Sequence, residues 1–308
     1  MPFVSTQILQ YRQEFLSRLE TRPFPPSDVT QILRYGAPAG SVFESHEYLD
    51  RCMSRLQKLM AAAEERGRVL PAGTVVAADR LGASTGRFNR HWHAPLGGLW
   101  LAMAWPDVLL SGFSRLLPFA AGLACCRAIR GLGVDACLKW VNDLLVGNRK
   151  VGGILCETVV SPAGEQWHIL GIGINVNNCC FPADLQLPAT CMQEVVGEPV
   201  DLARFMGRLL AEFSWSLGLL HFDEACSLRE QRSCEEGRRS LLLSSWLDYC
   251  DSIGRRVEYG FDVLNKPMYK AIVRGIDPCG ALQMTLADGT SVTEFSGEIR
   301  YLDDASSS

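Results

Sequence analysis

The chain has 308 residues, of which 47% are hydrophobic and 21% are charged, and its formal net charge at pH 7 is −4. These values are ordinary for a folded globular protein that is long enough for one large domain and a small one. The acidic balance gives no basic footprint for nucleic acid, and the apolar stretches are too short or too interrupted to predict a membrane span.

The N-terminus and the twelve cysteines predict a cytoplasmic protein with reduced thiols. Residues 1–20 contain several glutamines, arginines and glutamates, which argues against a secretory signal. No cysteine belongs to a Cys-x-x-Cys pair and most have apolar neighbours, so we interpret them mainly as core residues. His91 and His93 could share one face of a strand, but no third metal ligand is evident. A polar loop is the preferred interpretation there.

The helices and strands of the larger N-terminal part are predicted from the spacing of apolar residues and from the helix-breaking segments between them. A proline-rich break at residues 22–27 separates the first two predicted helices. The predicted elements are helices over residues 6–20, 46–66 and 117–131, and buried strands over residues 74–78, 99–105 and 167–173.

The pattern changes towards the C-terminus. Amphipathic helices are predicted over residues 201–219 and 235–249. Short strands separated by turn residues follow, which is typical of a small barrel. These strands are predicted over residues 256–259, 269–276, 281–286 and 291–301.

A lysine-bearing hairpin lies in the middle of the chain. Gly147-Asn148 separates two apolar runs and suits a two-residue hairpin turn. In a regular hairpin Leu145 would face Lys150, and the side chains of Lys139, Asp143 and Lys150 would project from one face. Two ammonium groups and one carboxylate on one face suit an anion such as a phosphate with its metal. The alternative is a surface hairpin with solvated lysines.

Three further residues of this hairpin bear on a ligand. Gly152 and Gly153 carry no side chains, so a ligand could lie close to the backbone there. Asn142 would point to the opposite face unless a bulge reorients it.

These residues resemble the signature of biotin–protein ligases, Lys-Trp-Pro-Asn-Asp followed by Lys-hydrophobic-Ala/Gly-Gly-Ile-Leu-x-Glu. The two halves of the signature run from Lys139 to Asp143 and from Lys150 to Glu157, with Val141 in place of the proline. Residues 171–177 follow at the usual distance and resemble the family's Gly-x-Gly-Ile-Asn-x-Asn. Together with weaker likenesses, the resemblance covers roughly residues 40–303.

The resemblance implies an α+β fold with two parts. A mixed-sheet, biotin/lipoate ligase-like catalytic domain with helices would occupy residues 41–250, and a small C-terminal SH3-like β-barrel residues 251–303. Residues 1–40 would form an N-terminal helical extension, and residues 304–308 a disordered tail.

Some members of this family carry a winged helix-turn-helix that binds DNA. In this chain only 43 residues precede the first core motif, which begins at Glu44. They hold one clear helix and a proline-rich break, whereas a winged helix needs about three helices and a hairpin. We therefore expect a monofunctional ligase without the DNA-binding domain.

The ligand-enclosing loop departs most from the family. Four residues match the glycine- and arginine-rich loop: Gly86, Arg87, Arg90 and Trp92. Leu81 stands where the family's glutamine approaches biotin, and Ser84 and Thr85 stand where Gly-Arg is expected. Ser45 matches the family's Ser-Thr-Asn motif, although His46 replaces its threonine. The alternative for the arginines is a solvated loop.

The resemblance implies an ATP-dependent, AMP-forming biotin–[acetyl-CoA-carboxylase] ligase. The biotin carboxylate attacks the α-phosphate of ATP and gives biotinyl-5′-AMP and pyrophosphate, and a lysine of a biotin carboxyl carrier protein or domain then takes the biotin. ATP and Mg²⁺ are the implied cofactors. No nucleic acid or membrane partner is expected, and a homodimer is left open.

The resemblance also implies the site residues. The expected catalytic residues are Arg87, Lys139, Asp143 and Lys150. The expected biotin-binding residues are Ser45, Gly86, Arg87, Trp92, Lys150, Gly152, Gly153 and Ile154. The expected nucleotide-binding residues are Arg90, Lys139, Asn142, Asp143 and Asn175, with Asp143 also the expected Mg²⁺ ligand.

Two other classes stay open. A lipoate or octanoate ligase or transferase has the same fold, and Leu81 in the place of glutamine favours it somewhat. A degenerate adenylate-binding paralogue is the other class. The retention of Arg87, Lys139, Asp143 and Lys150 argues against it.

Overall fold

The computed structural model describes residues 4–19, 21, 23–183, 185, 188–231 and 240–302. Its helices are α1 (Ser5–Leu16), α2 (Pro26–Gly36), α3 (Cys52–Glu64), α4 (Ser111–Ser114), α5 (Leu117–Arg130), α6 (Met192–Val196), α7 (Leu202–Arg229) and α8 (Leu241–Leu247). Its strands are β1 (Phe43–Leu49), β2 (Val75–Leu81), β3 (Leu99–Pro106), β4 (Ala136–Lys139), β5 (Asp143–Val146), β6 (Arg149–Val160), β7 (Gln166–Ile174), β8 (Arg256–Gly260), β9 (Tyr269–Ile276), β10 (Leu282–Leu286), β11 (Ser291–Glu294) and β12 (Glu298–Tyr301).

The large sheet has seven strands in the order β1-β2-β3-β7-β6-β5-β4. The pair β1 and β2 is parallel and the other pairs are antiparallel, so the predicted mixed sheet is confirmed. Successive strand residues face opposite sides. Val75 and Ala77 join the core beneath α5 and α7, whereas Val76 and Ala78 join a second core beneath α3. Both faces of the sheet are therefore covered.

The N-terminal helices pack on α7. Glycines of α7 permit the close approach, because a Cβ on Gly207 would stand 2.3 Å from the Tyr11 side chain, and one on Gly218 would stand 2.1 Å from the Ile32 carbonyl oxygen. The buried Arg12 guanidinium donates to the Ala37 carbonyl oxygen at 2.8 Å. The segment predicted as an extension is thus helical and packs against the helical layer.

Three element predictions in the larger domain need correction. The helix predicted from residue 46 begins at Cys52, because residues 43–49 form β1. The apolar helical period also starts at Cys52 and continues through Leu56 and Met60. Helix α2 was missed because Pro26 was read as a breaker, although proline is well tolerated in the first turn of a helix. Helix α7 extends ten residues beyond its predicted end at residue 219.

The C-terminal strands form an antiparallel sheet in the order β11-β10-β9-β8-β12. The strand predicted over residues 291–301 is two strands, separated at Gly297, whose φ is 106°. No pairing joins β11 to β12 among the described strands, so the small antiparallel sheet is confirmed and a closed barrel is not. Trp140 connects this sheet to the large domain, since its indole Nε1 donates to the Gly280 carbonyl oxygen at 3.1 Å.

Some predictions fall on residues outside this description. The tail at 304–308 lies there, and so do residues 235–239 of the last predicted helix, of which residues 241–247 form α8. The described cysteines are all free thiols. No helix within the described ranges is both long and apolar enough to cross a membrane.

Candidate active site

The central hairpin has the register that its sequence predicts. Leu145 pairs with Lys150 across β5 and β6, as expected from a two-residue turn. Gly147 and Asn148 both have positive φ, 53° and 63°, which a type I′ turn requires. A register shift between Leu144 and Leu145 brings Asp143 opposite Gly153. The bulge therefore lets the Lys150 side chain extend towards Asp143.

The three predicted charges meet on one face. Lys150 Nζ lies 2.5 Å from Asp143 Oδ1, and Lys139 Nζ lies 3.4 Å from Asp143 Oδ2. Their side chains are 22%, 11% and 14% exposed for Lys150, Lys139 and Asp143, so these are not solvated lysines. Burial alone would raise the pKa of the Asp143 carboxyl, but the two ammonium groups hold that pKa at about 2. The carboxylate therefore stays ionised at neutral pH.

Arg87 adds a further cation to this end of the site. Its Nη1 donates to Asn142 Oδ1 at 3.3 Å, and Asn142 Nδ2 donates to the Ile154 carbonyl oxygen at 2.8 Å. Asn142 reaches the site because it lies in the turn between β4 and β5 rather than inside a strand. Burial lowers the pKa of the Arg87 guanidinium, although arginine remains protonated in proteins.

Trp92 covers the lysine from the loop side. Lys150 Nζ lies 5.2 Å from the centroid of the indole ring, within cation–π range. The ring fits against β7 because residue 173 is glycine, where a Cβ would stand 2.8 Å from Trp92 Nε1. That buried N–H has no acceptor among the described residues. Ser84 fixes the loop by donating its hydroxyl to the Trp92 carbonyl oxygen at 2.5 Å.

The loop is also tied to the C-terminal sheet, by contacts that sequence reasoning missed. Arg90 Nη1 donates to Glu298 Oε1 at 2.8 Å, and Arg90 Nη2 lies 3.4 Å from Asp262 Oδ1. The Phe88 and Phe261 rings meet edge to face at a centroid distance of 6.5 Å. The sequence carries no signal for these pairs, because their members lie more than 170 residues apart in the chain.

These groups surround a cavity of about 500 Å³, a size that suits a small organic ligand. The predicted site residues that line it are Gly86, Arg87, Arg90, Trp92, Lys139, Asn142, Asp143, Lys150, Gly153, Ile154 and Asn175. Along β6 the lining passes from Lys150 and Gly153 to the apolar Ile154 and Leu155. Met53, Leu81 and Ile172 add further apolar lining, and Arg51, His91 and His93 also line the cavity.

Two predicted biotin-binding residues do not line the cavity. Ser45 lies inside β1, opposite Ala77 of β2, and the cavity is lined instead by residues 51–53 at the start of α3. The serine was matched to its motif by residue type alone, and the helical period that begins at residue 52 is the signal that marks the start of α3. Gly152 serves packing, since a Cβ there would stand 2.8 Å from the Gly173 carbonyl oxygen.

The predicted roles of Asn175 and of Asp143 as a Mg²⁺ ligand can be compared with the polar groups around them. Asn175 lines the cavity, and its Oδ1 accepts from Asn178 Nδ2 at 2.9 Å. The described residues contain no group of three His, Cys, Asp or Glu side chains that could hold a metal ion. Both oxygens of Asp143 already face ammonium groups. This donor set does not fit a Mg²⁺ ion held by the protein alone.

Comparison with known proteins agrees with this geometry. Residues 54–177 match the model of the biotin/lipoate A/B protein ligase family. The chain is 32% identical over 185 residues to the bifunctional ligase/repressor BirA of Bacillus subtilis, a match that spans 59% of this chain and 56% of that protein. It therefore spans little more than half the length of that relative. It is also 26% identical over 287 residues to the biotin–[acetyl-CoA-carboxylase] ligase of Mycobacterium tuberculosis, covering 90% and 97% of the two chains.

The fold is shared with solved structures. A biotin protein ligase from Aquifex aeolicus, in complex with biotin and ATP, superposes with a TM-score of 0.64 at 21% identity, and the match covers 84% of this chain and 98% of that one. Over residues 54–177 the chain is thus similar to the biotin/lipoate A/B protein ligase family, and it shares the fold of solved biotin protein ligases.

Proposed function

We propose that this chain is an ATP-dependent biotin–protein ligase. It would form biotinyl-5′-AMP from biotin and ATP, and then transfer biotin to a lysine of a biotin carboxyl carrier protein or domain. The observation that carries the proposal is the pairing of Lys139 and Lys150 with one carboxylate, Asp143, beside Arg87 in the wall of a largely apolar cavity.

The charge balance at this end suits the first half-reaction. A carboxylate and the α-phosphate of ATP repel one another, so a site that joins them needs an excess of positive charge. Three cations and one carboxylate leave a surplus of two positive charges. Arg87 and Lys150 would hold the adenylate phosphate and the biotin carboxyl oxygen, and Lys139 would support the triphosphate.

Asp143 suits the second half-reaction as a positioning group. Its pKa of about 2 makes it a weak base, so it would attract the incoming lysine ammonium rather than take its proton at neutral pH. It also keeps the ammonium groups of Lys139 and Lys150 within 3.4 Å of its oxygens. Removing it would leave two like charges side by side in a buried site.

Asn142, Asn175 and Arg90 would contact the nucleotide. Because the described donors do not fit a protein-held metal, Mg²⁺ would enter with the ATP phosphates, and Asp143 as its ligand stays a prediction. Trp92 and the loop would exclude water from the reactive adenylate. Gly86, Gly153 and Ile154 would line the biotin side of the cavity.

The C-terminal sheet would close over ATP or dock the carrier domain. The contacts of Arg90 with Glu298 and Asp262 support this role, since they join the loop to that sheet. An SH3-like identity for the sheet, the domain bounds at residues 41, 251 and 304, a homodimer and a cytoplasmic location stay predictions.

ATP–pyrophosphate exchange with biotin, lipoate and octanoate side by side tests the proposal. Exchange should depend on biotin, and a purified biotin carboxyl carrier domain should then become biotinylated. A Lys270→Ala variant is the matched control, because this lysine is also ion-paired but is 69% exposed and lies outside the cavity. Exchange with lipoate or octanoate alone, or with no acid, would contradict the proposal.

A further inference from the structure

Two cysteine thiols meet on the connection between β7 and α6. The thiol of Cys191 is hydrogen-bonded to that of Cys179, although a cavity-lining stretch of chain separates the two residues. Cys179 is exposed, whereas Cys191 is fully buried at the N-cap of α6. A reagent can therefore reach one thiol directly, and the second thiol lies in contact with the first.

Backbone hydrogen bonds hold this contact in place. Met192 donates its N–H to the Asn175 carbonyl oxygen at 3.1 Å. Gln193 donates its N–H to the Val176 carbonyl oxygen at 2.8 Å. The start of α6 thus lies beside the chain that leaves β7. Because the two cysteines stand on these two stretches, their thiols stay neighbours while both hydrogen bonds are intact.

The chain between the two cysteines also contributes to the cavity wall. Its described lining residues are Phe181, Pro182, Leu185 and Ala189. The Lys150 N–H donates to the Pro188 carbonyl oxygen at 2.8 Å, and the Lys150 carbonyl oxygen accepts from the Thr190 N–H at 3.1 Å. Thr190 is the neighbour of Cys191, so a covalent bond at that cysteine would restrain the backbone that brackets Lys150.

We propose that Cys179 and Cys191 form a reversible disulfide that restrains the cavity wall beside Lys150. The inference goes beyond the proposed function, because formation of the bond needs no substrate of a ligase. The pair exchanges with a low-molecular-weight disulfide, of which glutathione disulfide is the representative. Oxidation thus stiffens the wall beside the charged residues, and reduction releases it.

The exchange takes two steps, in which the exposed thiol reacts first. The Cys179 thiol loses its proton, attacks one sulfur of glutathione disulfide and releases one glutathione. The Cys191 thiol then loses its proton and attacks Cys179 Sγ, which displaces the second glutathione. The two cysteines give up two electrons and two protons, and both glutathiones leave as thiols. Burial and the Cys179 thiol raise the pKa of Cys191 to about 11, which suits it to the second step rather than the first.

Peptide mapping by mass spectrometry tests the bond. The whole chain is equilibrated with mixtures of reduced and oxidised glutathione, and free thiols are then alkylated. A peptide pair linked between Cys179 and Cys191 should increase with the oxidised share, and Cys179→Ser or Cys191→Ser should abolish it. Cys180→Ser is the matched control, because this adjacent cysteine is also exposed and its loss should leave the link unchanged. Glutathione that stays attached to Cys179, or a link between Cys179 and Cys180, would overturn the proposal.

Hydrogen exchange measures the effect on the cavity wall. In the oxidised protein the amide groups of Lys150 and Thr190 should exchange more slowly by about threefold or more, because a cross-link removes open states of the chain beside it. Dithiothreitol should reverse the change, and Cys191→Ser should show none. Thermal unfolding of the reduced variants checks that they are folded.

The outcomes separate this inference from the proposed function. Equal amide exchange in the linked and the reduced protein would overturn the inference alone. A protein that forms the link and slows these amides, but lacks biotin-dependent ATP–pyrophosphate exchange when reduced, would support the inference and contradict the proposed function.

Discussion

The two ends of the cavity hold their polar groups in different ways. At the charged end, Lys139, Asp143 and Lys150 come from the three neighbouring strands β4, β5 and β6, and backbone pairing sets the distances between them. At the other end, Arg51 stands on the connection before α3 and meets Glu157 of β6 through a single side-chain contact.

This difference indicates how far each end can vary. A substitution of one charged residue on β4, β5 or β6 leaves its buried partner without a counter-charge, and a shift of strand register separates the pair. Both destabilise the folded protein. A change at the other end alters a partly exposed pair, where a lost contact costs less. The charged cluster is therefore fixed by the sheet, whereas the Arg51 contact lies in a segment that can change more freely.

The largest effect should come from the charged end. Lys150→Ala should lower the rate of adenylate formation by about 10²-fold or more, because it removes a cation aimed at the negative charge that develops on the phosphate. Single-turnover measurement of biotinyl-5′-AMP, with Lys270→Ala as the control, checks this. A near-normal rate would show that the sheet-held charges do not act on the reaction.

Asp143→Asn should weaken the fold in a pH-dependent way. The carboxyl pKa is about 2 in the folded protein against an ordinary value of 3.8. A lowered pKa stabilises the fold above about pH 4, and that contribution is lost as the pH falls from about 4 to about 2. The shift corresponds to roughly 2 kcal/mol, so the variant should lose about that much free energy of unfolding at pH 7.

Urea unfolding at pH 7, 4 and 2.5 measures this dependence. The difference between wild type and Asp143→Asn should shrink as the pH falls through this range. Asp135→Asn is the control, because Asp135 also pairs with an arginine, Arg130, but its side chain is 90% exposed. Equal losses at all three pH values would show that the carboxylate charge is not what stabilises the hairpin.

Restoring the family's residues at positions 81 and 85 should have a smaller effect, and it should strengthen biotin binding. Leu81 lines the cavity where the family has glutamine, and Thr85, where it has arginine, pairs with His91 in the loop. The double change Leu81→Gln with Thr85→Arg should lower the biotin Kd by up to roughly tenfold for each restored contact, about 1.4 kcal/mol. Release of free adenylate should fall in parallel.

Calorimetry on the wild type, the double variant and each single variant decides that prediction. Biotin binding by the wild type that is equal to or tighter than that of the double variant would mean that the loop already has a sufficient solution.

The smallest effect concerns the tie between the loop and the C-terminal sheet. Arg90→Ala should raise the KM for ATP a few-fold, because the side chain is 33% exposed and its ion pairs are only partly shielded from water. A double-mutant cycle with Glu298→Gln should give a coupling of about 1 kcal/mol. Additive effects of the two substitutions would mean that this contact does not order the loop.

Local sequence predicted the charged end well and the other end poorly. The hairpin was predictable because a two-residue turn fixes which residues pair, as Leu145 and Lys150 do. Ser45 lies inside β1 and does not line the cavity, which a match of residue type alone could not foresee. Helix α2 was missed because Pro26 has opposite meanings inside a helix and at its first turn.

The sequence by itself determined the hairpin and the three charges on its face, whereas the mixed sheet was implied only by the resemblance. The hairpin depends on near neighbours, whose pairing is set by turn type and by apolar alternation. Only the tertiary structure brought Arg51 to Glu157, Arg90 to Glu298 and Trp92 over Lys150. Such contacts join residues far apart in the chain, and they depend on how whole elements pack, which no local pattern records.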